Sequence, residues 1–129
     1  MFMSQEYLQK QTSISLINYH FVWIPCRRKK ILTGLLKERL LELLYQKSTQ
    51  LNCNILEVEI MIDHVHLFLN CPPSIAPQQI MFRLKGFTSR VLRAEFPELM
   101  RLPSLWTRSY FVGSAGNVSS ETIKRYIQE

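Results

Sequence analysis

The chain has 129 residues, of which 47% are hydrophobic and 20% charged, enough apolar material for one ordinary core and too regular a pattern for wholesale disorder. Sixteen Lys and Arg against ten Asp and Glu give a net charge of +6, which suits a polyanionic partner such as DNA or RNA. The amino terminus, "MFMSQEYLQKQT", lacks a basic segment followed by an apolar one, no run of about eighteen apolar residues occurs, and the three cysteines form no CxxC pair; one cytoplasmic domain over 1–129, with reduced cysteines and no membrane partner, is the expectation.

Residues 13–24, "SISLINYHFVWI", are rich in β-branched and aromatic types and stop at Pro25, which predicts a strand followed by the basic loop "CRRKK". Thr33 can cap a helix in which Leu36, Leu40, Leu43, Leu44 and Leu51 recur at helical spacing up to Asn52. Two extended runs, 54–61 and 63–71, lie so close together that an antiparallel hairpin is the natural connection. "CPPSIAP" then breaks the chain, and Pro77 suits the first turn of a second helix whose face is marked by Ile80, Leu84, Phe87 and Val91 until Pro97 closes it. "LWTRSYFV", 105–112, predicts a fourth strand, and "SSETIKRYIQE", 119–129, a last helix capped by Ser119. The order β-α-β-β-α-β plus a terminal helix is the ferredoxin-like α+β pattern: a four-stranded antiparallel sheet with two crossover helices on one face and the other face open.

On the strand within "EIMIDHVHLFLNC", alternation sends His64, His66 and Phe68 to one side and Val65, Leu67 and Leu69 to the other. The aliphatic set should meet the helices, leaving two imidazoles on the open face about 7 Å apart at their α-carbons. Such a pair can converge on one divalent cation, or can simply be two hydrogen-bonded strand histidines; a metal site needs a further ligand from elsewhere. Asp63 is adjacent but of opposite parity, and His20 is expected to be a satisfied core histidine. Tyr126, in "ETIKRYIQE", reads either as a packed aromatic or as a nucleophile. A phenol titrates near 10, so attack on a phosphodiester needs a nearby cation to favour the phenolate and polarise the phosphate. Gly113 and Gly116, in "VGSAGN", are loop glycines that would also serve as a hinge.

Together these residues resemble the single-tyrosine HUH transposases of small bacterial and archaeal insertion sequences, an IS200-like family. "NYHFVWIPCRR" resembles the family's first strand and basic loop, "MIDHVHLFL" carries its His-hydrophobic-His motif, "RLKGFTSRVLRAEFPEL" resembles its second helix, and "LWTRSYFVGSAG" and "ETIKRYI" match its fourth strand, glycine linker and tyrosine helix. The resemblance implies that Tyr126 attacks single-stranded DNA, with hairpins at the element ends, to give a 5′-phosphotyrosyl link and a free 3′ hydroxyl. It implies that His64 and His66 hold Mg²⁺ or Mn²⁺. It further implies a homodimer, in which the tyrosine of one subunit can serve the histidines of the other. The family's third ligand is a Gln four residues after the tyrosine, and the sequence stops at Glu129, three residues after it. Gln128 points about 200° away from the tyrosine direction and Glu129 only about 60° away, so Glu129 is the better substitute.

Arg27, Arg28, Lys29 and Lys30 form the densest positive run, and Arg83, Lys85, Arg90 and Arg93 decorate the second helix; both groups are candidate phosphate contacts. Gly86 in mid-helix suggests a close neighbour, either a subunit or a DNA backbone. Two other readings fit the same elements: a non-catalytic nucleic-acid-binding module, and a hydrolytic metal phosphodiesterase with water as nucleophile.

Overall fold

The structure is a computed structural model and describes residues 16–114. Strand β1 (Ile17–Trp23) leads through a 3-10 turn at Cys26–Arg28 into helix α1 (Gly34–Gln50), then strands β2 (Asn54–Met61) and β3 (His64–Cys71), helix α2 (Pro77–Glu95), a 3-10 segment at Pro97–Arg101 and strand β4 (Phe111–Ser114). The strands pair antiparallel in the order β2-β3-β1-β4. This is the ferredoxin-like α+β sheet expected from the element order. The predicted terminal helix at 119–129, with Tyr126 and Glu129, lies outside the described residues, as do Gly116 and residues 13–15 of the predicted first strand.

Alternation decides which side of the sheet meets the helices. On β1, Tyr19, Phe21 and Trp23 alternate with Asn18, His20 and Val22, and the aromatic set joins Val65, Leu67 and Leu69 of β3 and Ile60 of β2 in the core. Helix α1 supplies Leu36, Leu40, Leu43 and Leu44 to that core, and α2 supplies Ile80, Met81, Leu84 and Leu92. Each fully buried side chain of this size contributes roughly 1.5–3 kcal/mol. Phe87 and Val91 pack at the core's edge rather than inside it. Thr33 does occupy the cap position of α1, without a side-chain capping bond, and Gly34 after it turns at φ 59°, where a side chain would be strained.

Two local features set the register. Met61 pairs with His64, so Ile62 and Asp63 form the whole connection between β2 and β3. A one-residue slip would exchange the valine and leucines for the histidines, and burial of the aliphatic set forbids it. On β2 the pairing shifts between Ile55 and Glu57, leaving Leu56 half-exposed as the extra residue. That bulge lets Ile55, Val58 and Ile60 all face the core while Glu57 and Glu59 face the histidines.

The fourth strand begins at Phe111, not at Leu105 as the sequence predicts. Residues 105–110 are irregular because their polar groups are used elsewhere. The carbonyls of Thr107, Arg108 and Ser109 converge on Lys85 Nζ at 2.6, 3.1 and 3.5 Å. Trp106 Nε1 donates to Thr88 Oγ1 at 3.0 Å, and Trp106 meets Trp23 edge-on at 5.9 Å. Gly113, expected in a loop, is a residue of β4 opposite His20. A methyl group added at Gly86 would meet no atom within 4 Å, so no close neighbour among the described residues explains that glycine.

Candidate active site

The face turned away from the helices carries, in register, Glu57, Glu59 and Met61 from β2, Phe68, His66 and His64 from β3, and Asn18, His20 and Val22 from β1. The expectation for His64 and His66 holds: both are half-buried on this face, on alternate positions of a central strand. The expectation for His20 does not. It shares the face with His66 instead of entering the core, because its parity is that of Asn18 and opposite to that of the aromatic residues.

His64 is held at one nitrogen. Its Nδ1 lies 3.0 Å from Asp63 Oδ1, and Arg28 Nε donates to Asp63 Oδ2 at 3.0 Å. Asp63 belongs to the hairpin turn, so strand parity does not apply to it, and its carboxylate folds onto the ring beside it. Burial works against ionising Asp63, but the hydrogen bonds from His64 and Arg28 outweigh it and hold the carboxyl below its usual range. An ionised carboxylate only accepts, so a hydrogen bond to Asp63 places a His64 proton on Nδ1. Arg28 and its neighbour Arg27 have φ of 53° and 57°, a left-handed pair of non-glycine residues that costs roughly 1–2 kcal/mol each. The Asp63 ion pair and the bond from Cys26 N–H to the Leu105 carbonyl, 2.7 Å, tether this turn.

His66 lies between strands β1 and β2. Its Nε2 is 3.1 Å from His20 Nδ1, and its Nδ1 is 3.8 Å from Glu59 Oε1. The His20 ring stacks on Phe68 with 4.2 Å between centroids and 9° between planes. Burial, reinforced by the proximity of His66 and opposed by Glu57, pushes the His20 imidazole below its usual range and keeps it neutral.

Two imidazoles flanked by carboxylates are a donor set suited to a borderline divalent cation, and the carboxylate on His64 Nδ1 is the usual outer partner of a metal-binding histidine. Among the described residues no group of three His, Cys, Asp or Glu is arranged to hold a metal ion. The described site therefore offers two imidazole donors and no third donor of these types beside them. Sequence reading missed Asp63 and His20. The signal for Asp63 was the shortness of the turn; for His20 it was the alternation of Asn18 and His20 with three aromatic residues.

The basic residues divide into two places. Arg27, Arg28, Lys29 and Lys30 are exposed at the end of the sheet that holds His64, joined to it through Asp63. Arg83, Arg90 and Arg93 lie on α2, which packs on the opposite side of the sheet from the histidines. There a cleft of about 990 Å³ runs between α2 and the 104–110 segment, with Phe82, Arg83, Trp106, Arg108 and Tyr110 in its lining. Lys85, expected to contact DNA, is drawn inward to the three carbonyls, and burial pushes its ammonium down to about 8.

The family model described as "Transposase IS200 like" matches residues 13–129. The chain belongs to the IS200-like transposase family. It is 28% identical over 115 residues to the ISDra2 transposase TnpA of Deinococcus radiodurans, covering 87% of this chain and 82% of that protein. It is 31% identical over 113 residues to the transposase for insertion sequence element IS200 of Salmonella typhimurium, covering 85% of this chain and 74% of that protein. Among solved structures, a protein assigned as a transposase from Deinococcus radiodurans R1 superposes with a TM-score of 0.81 at 29% identity, covering 92% and 93% of the two chains. The REP-associated tyrosine transposase, solved bound to a REP hairpin, shares the fold with a TM-score of 0.59 at 12% identity, covering 91% of this chain and 66% of that one. In this IS200-like transposase, no helix of the described residues is long and apolar enough to cross a membrane.

Proposed function

We propose that this transposase cleaves and rejoins single-stranded DNA at insertion-sequence ends through a 5′-phosphotyrosine intermediate, with Tyr126 as nucleophile and His64 and His66 as ligands of Mg²⁺ or Mn²⁺. The observation that carries the proposal is the pair of half-buried imidazoles on the open sheet face, one already oriented by Asp63. In the reaction the Tyr126 oxygen bonds to phosphorus and the bond from phosphorus to the 3′ oxygen breaks. The tyrosine loses its proton and the departing 3′ oxygen gains one. The phosphotyrosyl ester keeps the bond energy, so a 3′ hydroxyl can later reverse the step without an external energy source. A bound divalent cation supplies Lewis-acid polarisation of the phosphate. His64 and His66 would hold it, Glu129 is the proposed third ligand, and Asp63 fixes the ring of His64.

Arg27, Arg28, Lys29 and Lys30 stand beside the histidines and are proposed to hold the phosphates of the strand being cut, while Arg83, Arg90 and Arg93 are proposed to hold another part of the DNA across the sheet. A hairpin is the proposed form of the DNA at the element ends, a reading in keeping with the REP hairpin bound to the fold relative. A homodimer, with Tyr126 of one subunit serving the histidines of the other, is the proposed assembly.

Incubation with single-stranded element ends and Mn²⁺ should give a protein–DNA adduct that survives denaturant. The adduct should vanish in Tyr126→Phe and in His64→Ala; its persistence in Tyr126→Phe would remove Tyr126 from the mechanism. Cleavage without any adduct would favour water as the nucleophile. Mixing Tyr126→Phe subunits with His64→Ala subunits should restore activity if the residues are shared between chains.

A further inference from the structure

We propose that Cys53 and Cys71 form an oxidation site, at which a peroxide converts the two thiols into a cross-strand disulfide and closes the β2–β3 hairpin into a covalent ring. The hairpin so closed carries Asp63, His64 and His66, yet the inference depends on no cation or DNA strand at those residues.

Strand register brings the two thiols together. Asn54 pairs with Asn70 and Ile55 with Leu69, so Cys53, one residue before β2, stands opposite Cys71, the last residue of β3. Both have the parity of the core-facing Ile55 and Leu69, and both are buried, with 4% and 0% of their surface exposed. Their thiols are in hydrogen-bond contact with each other. Directly opposite residues of antiparallel strands have Cβ atoms about 4.5–5.5 Å apart and a disulfide needs about 3.5–4.5 Å, so an approach of about 1 Å suffices. Cys53 sits where the chain can give that much. Its N–H bonds the Ser48 carbonyl at 2.9 Å, outside the β2–β3 ladder, and it follows the turn residue Asn52 at φ 62°.

The two thiols are unequal, which gives them separate roles. The hydrogen bond from Cys71 favours the Cys53 thiolate and outweighs the burial that opposes it, so Cys53 is held below the usual thiol range. The same contact, together with burial, pushes Cys71 up. Cys53 also lies between two exposed residues, Asn52 and Asn54, one layer below the surface. Cys53 is therefore the attacking sulfur and Cys71 the resolving one. In the first step the Cys53 thiolate bonds to one oxygen of hydrogen peroxide, the O–O bond breaks, and the departing hydroxide takes a proton, leaving a sulfenic acid and water. In the second, the Cys71 sulfur bonds to the Cys53 sulfur, the S–O bond breaks, and the departing hydroxide leaves with the Cys71 proton as a second water. Two thiols are oxidised and one peroxide is reduced. Cys26 takes no part: it follows the far end of β1 from Ile17, the residue that pairs with Cys71.

The test uses the full chain carrying Cys26→Ser, which leaves only the pair. Hydrogen peroxide is added in native buffer, remaining thiols are alkylated with iodoacetamide in denaturant, and mass spectrometry counts them. The expected product carries no alkyl group, weighs two hydrogens less than its parent, and yields a linked peptide pair holding Cys53 and Cys71 that dithiothreitol separates. Closing a ring from residue 53 to residue 71 should shift the unfolding equilibrium about a hundredfold toward the folded chain, seen as a Tm higher by about 10 °C than that of the reduced protein. Two alkylated cysteines after peroxide, or sulfinic and sulfonic acids without a link, would overturn the proposal. A linked form that melts no higher than the reduced one would overturn it too, because the native strands would then resist the bond. In Cys71→Ser, whose hydroxyl can still donate to Cys53, the sulfenic acid should persist on Cys53 and be trapped by dimedone; a label found on Cys71 in Cys53→Ser and absent from Cys53 in Cys71→Ser would overturn the assigned roles.

Discussion

Asp63 Oδ1 accepts a hydrogen bond from His64 Nδ1 at 3.0 Å while its other oxygen is held by Arg28. A residue in a turn thus fixes the ring of a residue in a strand. Asp63→Ala should leave His64 without an orienting acceptor and, if His64 holds the proposed cation, weaken Mn²⁺ binding by about 10–100-fold, the usual range for such outer partners. Calorimetric titration of the two proteins checks this. Equal affinity would mean that Asp63 serves only to tether Arg28.

Arg27 sits at φ 57° with its side chain exposed at the histidine end of the sheet. Glycine adopts that backbone freely, so Arg27→Gly should relieve strain of roughly 1–2 kcal/mol, partly offset by the extra freedom of the unfolded chain. The variant should therefore be as stable as the parent or up to about 1 kcal/mol more so in urea. If Arg27 contacts a phosphate, the same variant should bind single-stranded DNA more weakly, with the salt dependence of log K reduced by about 0.7. An unchanged salt slope would exclude Arg27 from the contact.

The sheet, both crossover helices and the exposure of His64 and His66 were legible because each rests on a repeating pattern: apolar residues at helical spacing, or strict alternation on β3. What alternation could not reveal were the places where the pattern is interrupted. Asp63 has the opposite parity to the histidines, but it is a turn residue, to which strand alternation does not apply. The Leu56 bulge, invisible in the order of residue types, is what brings Glu57 and Glu59 to the same face as His66. Lys85 looked like one more basic residue on a helix, and only its meeting with three carbonyls distant in sequence shows otherwise. The late start of β4 has the same origin, since those carbonyls cannot serve Lys85 and a strand ladder together.

Thr88 links α2 to the segment before β4. Its hydroxyl donates to the Leu84 carbonyl at 2.7 Å and accepts from Trp106 Nε1 at 3.0 Å, both in the interior. Thr88→Val keeps the shape and removes the acceptor, leaving a buried indole N–H without its partner. The expected cost is about 1–3 kcal/mol, read as a lower urea midpoint with an unchanged slope. The double variant Thr88→Val, Trp106→Phe should lose less than the two single changes added together, because no orphaned donor remains. Strict additivity would show that the bond contributes little.

Lys85 extends the same linkage and adds a dependence on pH. Its ammonium gathers the carbonyls of Thr107, Arg108 and Ser109, and Lys85→Met removes that clasp; hydrogen bonds to a charged donor contribute about 1.5–3 kcal/mol, so a loss of that order or somewhat less is expected at neutral pH. Burial lowers the Lys85 pKa from the ordinary 10.5 to about 8. Between those two values the unfolded chain binds the proton that the folded chain has released, so stability from this residue rises with pH across the window. Below about 8 both states are protonated and the folded chain bears the cost of a partly buried charge. The stability difference between the unsubstituted protein and Lys85→Met should therefore stay constant from pH 6 to about 7 and then widen in favour of the unsubstituted protein toward about pH 10. Urea titrations at stepped pH measure it. A difference that stays flat throughout would mean that the carbonyls offset the burial cost fully and hold the ammonium at its ordinary value.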